Sequence, residues 1–294
     1  MDAVNVGVLG LGEAGSAFAA GMVANGATVR GFDPAEVVVP AGVADCMTAA
    51  QAVEGADVVI ALTHAAQALD AAESAVGHLG PGAFYADFAT GDPGLKREIA
   101  TLARKHGLRA IDGAVMNPVP LAGVATPVDV AGDEAEAFVA LMAPAGLRLT
   151  AISSEPGVAA TRKLLRSVLV KGLSALVIES MRAAETAGEA DWFRDHVFEV
   201  LNHLDREYVI RLVEGNVKHS VRRGHEMEAA SKLLRQLGEP PLTSEATRQV
   251  LESVPERGVP AMTGGGGSAT TGGGEAAVID GGEAAVTDGR SAER

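Results

Sequence analysis

Three glycines follow the first apolar segment of the chain at a spacing that suits phosphate binding. Gly10, Gly12 and Gly15 form the pattern G-x-G-x-x-G within VGVLGLGEAG, and this pattern opens the helix-like segment EAGSAFAAGMVANG. In such a turn the first glycine permits the bend, the second lets the backbone approach a pyrophosphate, and the third lets the helix pack on the strand. The spacing predicts a dinucleotide site, although similar glycines also serve a plain strand–helix turn.

A carboxylate at the end of the second predicted strand supports the dinucleotide interpretation. Asp33 stands 23 residues after Gly10, where an acidic residue accepts hydrogen bonds from the adenosine ribose. A carboxylate there repels the 2′-phosphate of NADP, and the three residues that follow it contain no arginine to bind one. Arg30 is the nearby cation, but strand alternation directs it to the other face. The pattern favours NAD, with NADP as the alternative.

A second group of polar residues recurs along one long helix-like segment. Lys163, Ser167, Lys171 and Ser174 fall within about 80° of one another at ~100° per residue, on a helix that is otherwise largely apolar. Burying an ammonium group costs several kcal/mol unless the group is paired. Such a lysine therefore either extends to solvent or has a function, and the pattern leaves both interpretations open.

Alternating apolar and helix-like segments before this helix predict βαβ units and a mainly parallel sheet. The predicted strands are 4–10, 27–32, 56–62, 82–88, 108–114, 127–132 and 147–152. The clearest helix is DPGLKREIATLARKHG, with Asp92 as its cap, Pro93 in its first turn and Gly107 at its end. Its predicted apolar face comprises Leu95, Ile99, Leu102 and Ala103.

The composition changes near residue 155, after which only helical patterns occur. One helix is predicted from Ala159 to about Glu185, another over 226–238, and a last one capped near Thr243 or Ser244 with Glu245 in its first turn. We therefore predict an α/β protein with three parts. They are a Rossmann dinucleotide-binding domain (1–155), a helical substrate and dimerisation domain (156–254) and a disordered Gly/Ala-rich tail (255–294).

Composition favours a globular protein that acts on small molecules. The 294 residues are 47% hydrophobic and 21% charged, enough for a large core and more than one domain. The 24 Lys and Arg against 38 Asp and Glu give a net charge of −14, which argues against broad contacts with nucleic acid or anionic lipid. Aromatic residues make up 3%, too few for platforms that stack bases. An anionic substrate would need a local cluster of positive groups.

The start of the chain and its cysteine content favour a cytoplasmic location. MDAVNVGVLG has no basic segment and only a short apolar run, so we expect neither a signal peptide nor a transmembrane span. Cys46 is the single cysteine, which rules out an intramolecular disulfide and suits a reducing compartment. No His, Cys or acidic cluster has the spacing of metal ligands, so we expect no metal.

Four segments, in this order, resemble the β-hydroxyacid dehydrogenase family, which includes 3-hydroxyisobutyrate and 6-phosphogluconate dehydrogenases. They are GVLGLGEAGSAFA, DFATGDP (87–93), DGAVMNP (112–118) and GVAATRKLL (157–165). The resemblance covers about residues 4 to 250. Its second part, with KGLSALVIE and RRGHEMEAASKLLRQLGEPP, looks closest to a branch of phosphogluconate-dehydrogenase-like proteins whose C-terminal domain has no assigned substrate. The resemblance implies a Rossmann-type domain followed by an all-helical domain, and a homodimer.

The resemblance also implies the roles of individual residues. Lys163 matches the general acid/base of a hydride transfer between a nicotinamide and an alcohol carbon, a role that needs a pKa lowered towards the working pH. Ser167 stands where better-known members carry asparagine and can still bond a substrate hydroxyl, and Lys171 is a further substrate-binding candidate. The predicted cofactor-binding residues are Gly10, Leu11, Gly12, Glu13, Ala14, Gly15, Asp33, Thr63 and Thr90.

The chain departs from the family where substrate binds. Typical members read D-A-P-V-S-G-G, whereas this chain reads DGAVMNP, so Met116, Asn117 and Pro118 replace residues that hold a substrate carboxylate. Asn117 either contacts substrate through its amide or serves as a turn residue. A Lys–Asp pair of the family aligns with His225 and Glu226, which makes Glu226 the last substrate-binding candidate.

Three functions remain in competition at this point. The leading one is an NAD(P)-dependent oxidoreductase acting on a small hydroxy acid or a related alcohol or carbonyl compound. Imine reductases share the architecture, but they usually place aspartate or tyrosine where Lys163 stands and prefer NADP. A non-catalytic dinucleotide-binding protein is the third, supported by the altered substrate segment and the tail.

Overall fold

A computed structural model describes residues 3–263 of the chain. The chain divides into two compact units, the first ending at Ile178 and the second beginning at Glu179. The strands, all in the first unit, are β1 (Asn5–Leu9), β2 (Thr28–Phe32), β3 (Ala44–Asp45), β4 (Val58–Ala61), β5 (Phe84–Asp87), β6 (Arg109–Val115), β7 (Val128–Gly132) and β8 (Leu149–Ser153).

These strands form one sheet in the order β3-β2-β1-β4-β5-β6-β7-β8. Neighbours run parallel except β6 and β7, which are antiparallel. The α/β fold and all seven predicted strands are confirmed. The two-residue β3 was not predicted, because so short a strand shows no alternation in the sequence.

Helices cover both faces of the sheet, so β4 at its centre is apolar throughout. In β4, Val58 and Ile60 pack into one core cluster, whereas Val59 and Ala61 pack into the cluster on the opposite face. Burial on both faces is typical of parallel sheets with crossover helices. The carboxyl ends of β1, β2, β4 and β5 therefore meet at one edge of a rigid sheet, the usual place for ligands in such folds.

The helices are α1 (Glu13–Ala24), α2 (Ala49–Val53), α3 (Ala68–Val76), α4 (Pro93–Lys105), α5 (Ala135–Met142), α6 (Val158–Ala187), α7 (Ala190–Asn202), α8 (Arg206–Glu214), α9 (Asn216–Gln236) and α10 (Leu242–Arg257). Among residues 3–263, none is long and apolar enough to cross a membrane. The predicted start of α4 is confirmed, because Asp92 Oδ1 accepts hydrogen bonds from the N–H groups of Gly94 and Leu95 at 2.7 and 3.2 Å.

The sequence places the domain boundary at 155, just after β8 ends, whereas residues 158–178 of α6 belong to the first compact unit. The first turn of α6 is hydrogen-bonded to β6 within that unit, which accounts for this difference. Residues 255–257 belong to α10 rather than to the predicted tail. Residues 264–294, with the near repeat of GEAAVIDG and GEAAVTDG, lie outside the described residues.

The cap of the last helix differs from the prediction. Neither Thr243 nor Ser244 caps α10 with its own side chain; the Glu179 carboxylate of α6 accepts hydrogen bonds from both of their N–H groups, at 2.7 and 2.9 Å. A carboxylate from another helix satisfies the unpaired N–H groups and faces the positive end of the α10 dipole. A capping residue is normally recognised within a few residues of the helix start. Glu179 lies far from α10 in sequence and so leaves no such local signal.

Candidate functional site

The turn after β1 is closed by two glycines that no other residue could replace without displacement of the backbone. Gly10 has φ +92°, and a Cβ there would lie 2.7 Å from the Leu62 carbonyl oxygen. A Cβ on Gly15 would lie 1.9 Å from the Gly10 carbonyl oxygen. Gly10 thus permits the bend and Gly15 permits the close packing of α1 on the turn, the two structural roles that the sequence predicts.

Gly12 differs from its neighbours because nothing lies within 4 Å of the place where its Cβ would be. It is the N-cap residue of α1, and no side chain of the described residues caps this helix end. Gly12 lines a cavity of about 650 Å³ together with Glu13, Asp33, Thr63 and His64. The uncapped helix N-terminus therefore faces a cavity large enough for part of a dinucleotide.

Asp33 lies at the end of β2 and supports the glycine turn. Its Oδ2 accepts a hydrogen bond from Leu11 N at 2.7 Å, and its Oδ1 accepts one from Ala35 N at 2.9 Å. Arg30 donates instead to the Gln51 carbonyl oxygen at 3.1 Å and does not line the cavity. Of the two charged residues Arg30 and Asp33, the one that lines the cavity is therefore the negative one, directly after β2.

The residues of the cavity fit a bound dinucleotide. The Thr63 hydroxyl is buried and has no hydrogen-bond partner among the described residues, and an unpaired buried hydroxyl is costly unless a ligand supplies a partner. Two other predicted cofactor residues differ from these. The Leu11 side chain is part of the core, so only its backbone belongs to the turn, and Thr90 is exposed after β5 without lining the cavity.

Lys163 lies in the second turn of α6 and is half-buried. Burial is the main cause that lowers its pKa from 10.5 to about 8, and the positive charges of Lys96, Lys171 and Arg166 lower the pKa further, whereas Asp112 opposes the shift. Ser167, one turn later, is also half-buried, and Lys171 is exposed. With a pKa of about 8, about a tenth of the Lys163 amine is neutral at pH 7 and about half is neutral at pH 8.

Asn117 and Arg166 add a polar contact near this helix. Asn117 is exposed after β6, and its Oδ1 accepts a hydrogen bond from Arg166 Nη2 at 3.4 Å. Sequence analysis did not single out Arg166, although it precedes the Ser167 position on the same helix. Glu226 belongs to the second unit, where it is exposed on α9 and pairs with Arg222 one turn earlier.

The sequence analysis also missed a cluster of three charged residues in the first unit, Asp87, Lys96 and Asp112. Each is only 2% exposed. Lys96 Nζ lies 2.9 Å from Asp87 Oδ2 and 3.7 Å from Asp112 Oδ1. The helical spacing does indicate that Lys96 is buried. Residues 96, 99, 100 and 103 form one face of α4, and all four are buried. We refer to these three residues as the buried charge cluster.

Models of two protein families match most of the described chain. Residues 5–145 match the NAD binding domain of 6-phosphogluconate dehydrogenase, and residues 184–254 match a domain of unknown function, DUF1932. The first match contains the glycine turn, Asp33 and Thr63. The NAD(P) cofactor predicted from the sequence is therefore confirmed, and the second match agrees with the predicted branch whose C-terminal domain has no assigned substrate.

Curated relatives match less than half of the chain. An NAD-dependent L-serine dehydrogenase from Pseudomonas aeruginosa is 29% identical over 141 residues, which are 45% of this chain and 47% of that protein. A probable 3-hydroxyisobutyrate dehydrogenase from Mycobacterium tuberculosis is 34% identical over 135 residues, which are 44% of this chain and 46% of that protein. The chain spans about half the length of the curated relatives it matches.

Solved structures resemble more of the chain. A conserved hypothetical protein from Sinorhizobium meliloti is 28% identical with a TM-score of 0.55, covering 85% of this chain and 88% of its own. A protein of unknown function with structural similarity to 3-hydroxyacid dehydrogenases is 26% identical with a TM-score of 0.56, covering 87% and 99%.

A reductive aminase from Aspergillus terreus in complex with NADPH and ethyl levulinate is 16% identical with a TM-score of 0.71, covering 87% of this chain and 95% of its own. At that identity the likeness concerns the fold alone. The chain thus combines an NAD-binding domain of the 6-phosphogluconate dehydrogenase type (5–145) with a helical DUF1932 domain (184–254), and it is similar to curated hydroxyacid dehydrogenases over less than half of its length.

Proposed function

We propose that the protein is an NAD(P)-dependent oxidoreductase that transfers a hydride between the cofactor and a small hydroxy acid or related alcohol or carbonyl compound, with Lys163 as general acid/base. The observation that supports this most is the half-buried Lys163 with its pKa lowered to about 8, because a general base works best with a pKa near the operating pH. A bound nicotinamide supplies the carbon that accepts or donates the hydride.

The glycine turn, Asp33 and Thr63 hold the cofactor in this proposal. The N–H groups at the start of α1 face the pyrophosphate, and Gly12 leaves room for its approach. Asp33 retains free lone pairs for the adenosine ribose hydroxyls, and its charge favours NAD over NADP. The Thr63 hydroxyl gains the partner that it lacks within the described residues, and Thr90 stands near the nicotinamide ribose.

Lys163 moves the proton in this proposal. In oxidation its neutral amine takes the proton of the substrate hydroxyl as the hydride leaves, and in reduction its ammonium group returns a proton to the carbonyl oxygen. Ser167, one turn along the same face of α6, hydrogen-bonds the same substrate oxygen. Asn117 is a further substrate contact proposed in the first unit, and the role of Glu226 stays a prediction from the sequence.

The charges on α6 support an anionic substrate. Lys163, Arg166 and Lys171 lie close enough together to lower the pKa of Lys163, although the whole chain carries a net charge of −14. A local group of cations on an acidic protein attracts and orients a carboxylate. We propose that Arg166 and Lys171 take over the carboxylate recognition that the family assigns to the segment replaced here by residues 116–118.

A homodimer and a cytoplasmic location complete the proposal. Leu165, Val168 and Leu169 of α6 are each at least 66% exposed, and large apolar side chains in one patch indicate a protein interface. Gel filtration of the purified protein at its monomer mass would contradict the dimer.

The first experiment is a fluorescence titration with NADH and NADPH, followed by turnover assays on short hydroxy acids, sugar acids and keto acids. We expect preference for NADH and turnover of a panel member. Lys163→Met should lower turnover about a thousandfold and leave NADH affinity unchanged. Lys105→Met, on the exposed side of α4, is the matched control and should behave as the unmodified protein.

Other outcomes decide between the alternatives. Preference for NADPH together with reduction of cyclic imines would replace the proposal with an imine reductase. Tight cofactor binding without turnover of hydroxy acids, keto acids or imines would indicate a non-catalytic dinucleotide-binding protein.

A further inference from the structure

The buried charge cluster is not used by the proposed chemistry, yet its hydrogen bonds are complete on the lysine side. Lys96 Nζ donates to the Asp87 and Ala89 carbonyl oxygens at 2.8 and 2.7 Å and to Asp87 Oδ2 at 2.9 Å. Its three protons thus have three acceptors, and the Asp112 carboxylate lies nearby as a further counter-charge. Such an arrangement fixes the ammonium group in one place.

The cluster joins three segments that are distant in sequence. Asp87 ends β5, Ala89 lies in the following segment just before Thr90, and Asp112 lies within β6. The other oxygen of Asp112, Oδ2, accepts hydrogen bonds from Gly157 N and Ala160 N at 2.9 and 3.0 Å. These N–H groups belong to the start of α6, about one turn before Lys163.

We propose that Lys96 is a positioning residue for Lys163, acting through the Asp112 carboxylate that holds the first turn of α6 and through its own fixed positive charge. This inference rests on the proposed role of Lys163 as acid/base. Lys96 lies on α4 and is therefore outside the glycine turn, outside α6 and outside residues 116–118.

The charged groups that act on Lys163 lie on α4, β6 and α6. They determine in which direction each substitution shifts the pKa of Lys163. Lys96 of α4 and Lys171 and Arg166 of α6 itself are positive, and Asp112 of β6 is negative. Removal of Lys96 takes away a positive charge and leaves Asp112 uncompensated, so the ammonium form of Lys163 becomes more stable. Removal of the Asp112 charge has the opposite effect on Lys163.

The test is the titration of Lys163 by NMR in the full cofactor-free chain labelled with 13C,15N-lysine. The Lys163 signal is identified by its loss in Lys163→Arg. We expect Lys96→Met to raise the pKa of Lys163 by about one unit or more, Lys96→Arg to leave it nearly unchanged, and Asp112→Asn to lower it. Asn keeps an acceptor for the two N–H groups, and the Lys105 signal serves as an internal control.

Lys96→Met leaves two buried carboxylates without their cation and so costs stability. The double variant Lys96→Met/Asp112→Asn restores the net charge of the cluster, and its Lys163 should titrate between the two single variants. Thermal unfolding and NADH titration establish which variants fold. Looser packing exposes Lys163 to water and raises its pKa in every variant, so shifts of opposite sign separate the proposed role from a merely structural one.

A Lys163 pKa that is the same in folded Lys96→Met as in the unmodified protein, or that rises in Asp112→Asn as well, would overturn the proposal. If Lys96→Met does not fold, a Lys163 pKa in the double variant no higher than in Asp112→Asn would overturn it. The titration needs no substrate, so failure of the proposed activity leaves this result fully interpretable.

Discussion

The glycine turn at residues 10–15 is built from consecutive residues, whereas the surroundings of Lys163 come from α4, β6 and α6. In the turn, backbone geometry alone sets the role of each glycine: Gly10 and Gly15 lie against carbonyl oxygens and Gly12 lies against open space. Around Lys163, burial and charges from distant segments set the pKa. A contiguous motif can therefore be recognised without the fold, while an electrostatic environment exists only once the fold has formed.

The largest test of this contrast is the pH dependence of the proposed reaction. Oxidation needs the neutral amine of Lys163, so kcat/KM for oxidation should rise about tenfold per pH unit below the pKa of about 8 and level off above it. Reduction needs the ammonium form and should be constant below pH 8 and fall above it. Steady-state rates between pH 6 and 10 check both directions, and a flat profile in both would show that Lys163 does not move the proton.

Two substitutions in the glycine turn distinguish the glycine that closes the turn from the glycine that leaves space for the ligand. Gly15→Ala places a Cβ against the Gly10 carbonyl oxygen, so we expect a loss of about 1–3 kcal/mol of stability together with weaker NADH binding. Gly12→Ala meets nothing in the protein, so its unfolding temperature should be unchanged while NADH binds about tenfold more weakly. Calorimetry and fluorescence titration check the pair. Equal loss of stability in both variants would contradict the assignment.

The features that could be predicted from the sequence are those that depend on residues close together in the chain. The strands, the cap at Asp92 and the structural roles of Gly10 and Gly15 depend on neighbours in sequence, and the structure confirms them. Lys96 was missed because its acceptors lie on β5 and in the segment that follows it. The α10 cap was misplaced because Glu179 lies 64 residues before Thr243. Partners at such distances leave no periodic trace in one sequence.

The choice between NAD and NADP tests Asp33, a residue that is both part of a sequence motif and held by hydrogen bonds in the fold. Asp33 is part of the sequence motif, but its oxygens also accept hydrogen bonds from Leu11 N and Ala35 N. Asp33→Asn keeps an acceptor and removes the charge, so the preference for NADH over NADPH should fall about tenfold with little loss of stability. Dissociation constants for both cofactors provide the measurement, with Asp45→Asn on β3 as the control. An unchanged ratio would remove Asp33 from the determinants of specificity.

The smallest expected effect concerns Glu13, whose negative charge opposes binding of a pyrophosphate at the glycine turn. Glu13 is exposed in the first turn of α1 and lines the cavity, where its carboxylate repels a pyrophosphate. Glu13→Gln should bind NADH about two- to threefold more tightly at low salt, and the gain should vanish at high salt because the charges are screened. Titrations at two salt concentrations check this, with Glu98→Gln on α4 as the control. Weaker binding would mean that Glu13 contacts the cofactor favourably.

The lowered pKa of Lys163 also has a consequence for the chemical reactivity of the protein. Neutral amines attack aldehydes and activated esters through their lone pair, and about half of Lys163 is neutral at pH 8, whereas a lysine of ordinary pKa is almost entirely charged there. Lys96 is buried and has all three protons engaged, so such reagents cannot reach it. The same side chain that is suited to proton transfer is thereby also suited to covalent modification, whether by a designed probe or by reactive carbonyl compounds in the cell.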